Sequence, residues 1–189
     1  MQIILASSSP FRRALLGRVG LHFSSQSPDL DETRLAHESP EAMVLRLSEA
    51  KAAAIAGRQP DALVIGSDQA AVLDGKILGK PGTHPQAVTQ LAACSGREVN
   101  FHTGLCVLGR NLRQTHLDCT KVVFRELSND EIERYLVLEQ PYQSAGSFKI
   151  EGLGISLFES VHSEDPTALI GLPLIALCRL LRQAGIPIP

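Results

Sequence analysis

Apolar and polar positions along the chain follow two periods. Short apolar runs at 2–6 (QIILA), 62–67 (ALVIGS), 70–74, 99–108, 117–125 and 154–161 predict strands, and helical spacing predicts helices over 10–18, 40–57, 84–94, 129–139 and 173–184. Start signals sharpen these helices. Ser9–Pro10 and Ser39–Pro40 each set a capping hydroxyl before a proline, and Ser128 with Glu131 forms a capping box. Leu172–Pro173 opens the last helix, which stops at Gly185 with Pro187 behind it. Asp74–Gly75 between apolar flanks predicts a hairpin turn. Interleaved strands and helices argue an α/β fold, and the hairpin and long strands of 99–125 argue a sheet that is not purely parallel. No internal repeat, low-complexity tract or Gly/Ser/Pro-rich linker interrupts the chain, so residues 1–189 read as a single domain.

At 189 residues the chain is long enough for one well-buried core, or for one domain of two lobes around a cleft. A net charge of −2 gives no general attraction to nucleic acid or an anionic membrane, so any anion site must be local. The longest uncharged apolar stretch, ALIGLPLIALC, falls well short of the roughly 18 residues that span a bilayer. No basic region precedes an apolar segment at the N-terminus, and the expected compartment is the cytoplasm. Cys94, Cys106, Cys119 and Cys178 lack C-x-x-C spacing and read as reduced thiols, while the six histidines are scattered.

The segment ILASSSPFRRALL (4–16) carries the first oddity. Its helix opens with Phe11, Arg12 and Arg13, although an exposed cation in the first turn costs about 0.3–1 kcal/mol against the helix dipole. SPDLDETR (27–34) gathers Asp29, Asp31 and Glu32 without helical or strand period, as a solvated acidic turn or as loop carboxylates for a hard cation such as Mg²⁺. In RLSEAKAAAIAGR the apolar spacing puts Lys51 near the buried side of a helix, where it snorkels to water or aims its ammonium into a cleft. ALVIGSDQAAVLDGKILGKPG (62–82) ends an apolar strand at Gly66–Ser67–Asp68–Gln69, where α/β sheets place ligand-binding groups. Asp68 there is a cap or a functional carboxylate. Lys80–Pro81 follows a glycine, as a rigid turn or an exposed loop lysine, and the G-K-[ST] end of a P-loop is missing. Gly152 and Gly154 let a backbone approach a ligand or mark a bulged strand. Leu174, Leu177, Cys178 and Leu181 make an apolar face for a core or for a homodimer.

Taken in order, LASSSPFRRALL, DLDET, SEAKA, VIGSDQ, LGKPG, SGREVNFHTGL, AGSFKIEG and GLPLIALC resemble the Maf-like nucleoside triphosphate pyrophosphatases over nearly the whole chain. The resemblance implies an elongated α/β fold with a mixed central sheet and flanking helices, two lobes around a cleft that holds the active site, and an architecture related to the inosine triphosphate pyrophosphatases. It implies hydrolysis of a nucleoside triphosphate to the monophosphate and pyrophosphate. Asp68 would be the base acting on water, Glu32 and Asp68 would hold Mg²⁺ or Mn²⁺, and Ser7, Arg12, Arg13, Lys51 and Lys80 would grip the phosphates. That role answers the oddity of the arginines, because the dipole and the cations then serve one anion. Gln69 and Glu151 resemble the branch that acts on 7-methyl-GTP rather than on dTTP and UTP, and Phe11 keeps an aromatic ring where that branch often has Trp. A pyrimidine-directed enzyme and a non-catalytic nucleotide-binding regulator are the two alternatives.

Overall fold

A computed structural model describes residues 1–189. The elements run β1 (Ile3–Ala6), α1 (Pro10–Gly17), β2 (Ser24–Gln26), α2 (Pro40–Ala56), β3 (Leu63–Leu73), β4 (Lys76–Leu78), α3 (His84–Cys94), β5 (Glu98–Gly109), β6 (Leu112–Phe124), α4 (Asn129–Glu139), β7 (Phe158–His162) and α5 (Leu174–Gln183). The strands form one mixed sheet in the order β2-β1-β3-β5-β6-β7, with β4 antiparallel on β3. β1 pairs in parallel with both β2 and β3, whereas β7 runs antiparallel to β6. The chain divides into two compact units. One comprises Met1–Gln69, His102–Asp118 and Asp165–Pro189, the other Ala70–Phe101 and Cys119–Glu164, so β3, β5 and β6 contribute residues to both.

In the first unit the two faces of β1 serve two cores, as alternation along a strand requires. Ile3 and Leu5 pack with Leu15 and Leu16 of α1 and with Leu177 and Leu181 of α5. Ile4 and Ala6 pack with Ala52 and Ile55 of α2. The apolar face of α5 is therefore core. In the second unit Phe101, Phe124, Phe148 and Phe158 meet edge to face, with ring centroids 4.8 Å apart for Phe148–Phe158 and 5.2 Å for Phe101–Phe148.

The capping signals locate the helices well: Ser9, Ser39 and Ser128 each accept a backbone N–H at a helix start, Ser128 within a complete capping box. Asp74 and Gly75 both have positive φ, 46° and 75°, as the tight hairpin joining β3 to β4 demands. Four features of the strand reading differ from the structure, the first being that the strand expected over 117–125 starts earlier, at Leu112. The runs 62–67 and 70–74 are one strand of 11 residues, because its polar centre is satisfied by side-chain partners and needs no turn. β2 is an added strand of three polar residues without periodicity. Leu153–Leu157 is a 3-10 turn, and the strand expected over 154–161 begins at Phe158.

Candidate functional site

At the start of α1, Ser9 Oγ accepts the Arg12 N–H at 3.3 Å, and the buried Ser7 accepts the Ser9 N–H at 3.1 Å. Arg13 is exposed, while the half-buried Arg12 donates its Nε–H to the Gly171 carbonyl at 2.8 Å. Burial pulls the Arg12 pKa down, and the nearby charges of Asp68 and Glu32 pull it up. Phe11, on the same turn, is 40% exposed.

Two glycines let α2 lie directly on the sheet. A Cβ on Gly66 would collide with the Ser48 carbonyl, and one on Gly104 would collide with the Val44 carbonyl. This close approach brings Lys51, only 5% exposed, within reach of two carboxylates. Its Nζ lies 2.6 Å from Asp68 Oδ1 and 2.8 Å from Glu32 Oε1. Lys51 is thus an ion-paired interior cation rather than a lysine snorkelling to water. Asp68 stands in the middle of β3, not at its carboxyl end, and its partner is the ammonium rather than a helix or turn N–H.

Only one carboxylate of the acidic segment 27–34 is bonded to Lys51. Asp31 accepts the N–H and hydroxyl of Thr33, which hold its carboxyl below the usual range. The segment is tied to α2 by Arg46, whose Nη2 donates to the Thr33 carbonyl at 3.2 Å and whose guanidinium also grips both carboxylate oxygens of the neighbouring Glu38 at 2.6 and 2.8 Å, holding that carboxyl down at about 2. Glu32 alone extends to Lys51. No group of three or more His, Cys, Asp or Glu side chains is arranged to hold a metal ion. The paired oxygens of Asp68 and Glu32, which already converge on one positive charge, are a donor set that fits a hard divalent cation taking its other oxygens from phosphate and water.

Beside Asp68, Gln69 Nε2 donates to Thr103 Oγ1 at 3.0 Å and lies 2.9 and 3.0 Å from the carbonyls of Ala168 and Leu169. Ser67, Thr103 and Gly171 therefore join this cluster, and of the three the sequence marks only Ser67, within the Gly66–Gln69 stretch. Their signal was faint: Ser67 adjoins Asp68, but its main-chain partners lie 37 and 104 residues away.

Lys80 and Glu151 belong to the second unit, and both are exposed. Lys80 precedes Pro81 and Gly82, whose N–H donates to the Tyr142 carbonyl at 2.9 Å. Glu151 sits in a turn fastened to α4 on both sides. The Lys149 N–H donates to Tyr135 Oη at 3.1 Å, and the Leu153 N–H donates to Glu139 Oε2 at 2.7 Å.

The four cysteines form no disulfide, and burial pushes the thiols of Cys94 and Cys106 up to about 12 and about 11, which makes them inert. No helix is long and apolar enough to cross a membrane.

The Maf-like protein family matches residues 2–184. A 7-methyl-GTP pyrophosphatase of Xanthomonas axonopodis pv. citri is 58% identical over 189 residues, covering 100% of this chain and 99% of its own. The 7-methyl-GTP pyrophosphatase of Pseudomonas aeruginosa is 54% identical over 189 residues, covering 99% and 98%. A HAM1 protein from Coxiella burnetii aligns over 97% of this chain and 99% of its own at 12% identity, with a TM-score of 0.52, and shares the fold. The chain belongs to the Maf-like family.

Proposed function

We propose that this Maf-like protein hydrolyses 7-methyl-GTP to 7-methyl-GMP and pyrophosphate. The observation that carries the chemistry is the buried Asp68–Lys51 pair beside Arg12, with the exposed Glu32 bonded to the same ammonium. Full-length likeness to two 7-methyl-GTP pyrophosphatases supports the choice of substrate.

Arg12 commits only its Nε–H to Gly171, so its two terminal NH₂ groups are available to grip phosphate oxygens together with Arg13 and Ser7. Lys51 supplies a desolvated positive charge, which acts far more strongly on phosphate than a charge in water does. Asp68 takes the proton of the water that attacks the α-phosphorus. Lys51 holds that carboxylate in one orientation through Oδ1. Asp68 and Glu32 are the residues that would hold Mg²⁺ or Mn²⁺, and the ion, when bound, neutralises phosphate oxygens and the leaving pyrophosphate. Lys80 adds a phosphate contact, while Phe11, Gln69 and Glu151 set the base preference. The activity belongs to one Maf-like domain working in the cytoplasm.

Pyrophosphate release should be measured over 7-methyl-GTP, GTP, dTTP and UTP with Mg²⁺ or Mn²⁺. The highest kcat/KM is expected for 7-methyl-GTP. A panel led by dTTP or UTP overturns the substrate and leaves the chemistry standing, whereas absence of turnover on all four overturns the enzyme.

A further inference from the structure

The 3-10 turn Ala168–Ile170 and the Gly171 that follows receive side chains from three separate elements. Gln69 of β3 brings its Nε2 within 2.9 Å of the Ala168 carbonyl and 3.0 Å of the Leu169 carbonyl. Carbonyl oxygens only accept, so the NH₂ end of the amide must face them. Thr103 of β5, fully buried, donates its hydroxyl to the same Ala168 carbonyl at 3.0 Å and accepts from Gln69 at 3.0 Å. Ser67 Oγ and Arg12 Nε then converge on the Gly171 carbonyl at 2.9 and 2.8 Å. Gly171 has φ +117°, a conformation that L side chains rarely adopt, and a Cβ there would lie 3.3 Å from Arg12 Nε.

We propose that Gln69 is a positioning residue for Arg12. Its amide holds the Ala168–Gly171 turn, and the last carbonyl of that turn orients the guanidinium. Gln69 thereby sets the grip on the triphosphate without touching a phosphate. This rests on the reading of Arg12 as a phosphate-gripping side chain. A residue that met only the nucleobase would have no effect on a ligand without a base, whereas a residue acting through Arg12 must change the binding of a bare polyphosphate.

The test is calorimetric titration with inorganic tripolyphosphate. Gln69→Leu removes both amide donors at similar volume and is expected to weaken binding by about fivefold to tenfold, the scale of one misaligned charge-assisted hydrogen bond. In an Arg12→Ala background the same change should cost nothing further, because the element it orients is gone. Thr103→Val, which removes one bond to the same turn, should weaken binding less and in the same direction, and it carries the test if Gln69→Leu does not fold. Wild-type affinity in the folded variant, or a full additional loss in the Arg12→Ala background, overturns the proposal. A wild-type protein that binds no tripolyphosphate overturns the reading of Arg12 first and this proposal with it.

Discussion

Lys51 and Lys80 are the same side chain in opposite settings. Lys51 sits in the first unit on a 17-residue helix, 5% exposed and bonded to two carboxylates at 2.6 and 2.8 Å. Lys80 lies in the second unit on an exposed loop between a glycine and a proline. The carboxylates divide the same way, with Asp68 buried at the centre of β3 and Glu151 exposed in a turn. Lys51 and Asp68 are thus held in place before any ligand arrives, which lowers the reorganisation needed at the chemical step. Lys80 and Glu151 stand where a substitution has few internal partners to disturb. Changes at Lys51 and Asp68 should move activity and stability together, and changes at Lys80 and Glu151 should move recognition alone.

The largest expected effect tests that coupling at Asp68. Asp68→Asn removes the proposed base and should lower turnover by at least about 10²-fold. The two side chains are nearly isosteric, and shape alone would leave the melting temperature unchanged. The structure requires otherwise, since Lys51 would keep only Glu32 as a charged partner. Removing one member of a buried pair costs ~3–5 kcal/mol when nothing remains to compensate, so a smaller loss is expected here. Pyrophosphate release and a thermal melt on one preparation measure both. Turnover near wild type would remove Asp68 from the base role, and an unchanged melt would show that the ion pair contributes no stability.

Lys51→Met keeps the apolar stem and deletes the charge, leaving Asp68 and Glu32 to face each other without a cation between them. The variant should be less stable than wild type near pH 7. Mg²⁺ should raise the melting temperature of the variant more than that of wild type, because the ion replaces the lost charge. Equal shifts in both proteins would separate Asp68 and Glu32 from metal binding.

Adjacent arginines sharpen the comparison inside the first unit. Arg13→Ala removes an exposed cation from a helix N-terminus and should leave the apo protein unchanged or more stable by up to about 0.3–1 kcal/mol. Arg12→Ala gains the same relief but loses the bond to Gly171, worth ~0.5–1.5 kcal/mol, so it should be the less stable of the two. Both should weaken nucleotide binding. Equal melting temperatures for the two variants would mean that the Gly171 contact carries no weight.

How much of this was readable in the sequence follows the range of the interactions. Helix starts were legible because a cap acts over three residues, as at Ser9, Ser39 and Ser128, and the hairpin was legible because Asp74–Gly75 carries its own backbone preference. The continuity of β3 was not. Gly66–Ser67–Asp68–Gln69 has the composition of a strand end, and its partners Lys51, Thr103, Gly104 and Ala168 lie 17 to 99 residues away. The spacing in α2 placed Lys51 on the buried side but could not say what it met there. That pairing depends on Gly66 and Gly104 admitting the helix, a tertiary contact no local pattern encodes.

The smallest expected effect belongs to Glu151, and it tests the second half of the comparison. A carboxylate can accept from both N1–H and the exocyclic N2–H₂ of guanine, whereas a thymine or uracil edge offers one donor flanked by carbonyl oxygens that repel it. Methylation at N7 gives the purine a delocalised positive charge that favours a carboxylate and the exposed ring of Phe11. Glu151→Gln keeps the shape and removes the charge, so the preference for 7-methyl-GTP over GTP should narrow by about fivefold, the difference between a charged and a neutral hydrogen-bond partner. The melting temperature should not move, because the turn around Glu151 is held by Tyr135 and Glu139 through the backbone of Lys149 and Leu153, not by Glu151 itself. Glu139→Gln is the matching control, since it weakens a bond that shapes the turn and should lower stability as well as selectivity. If Glu151→Gln destabilised the protein as much as Asp68→Asn, the division between held charges and carried charges would fail at the residue where it is drawn most sharply.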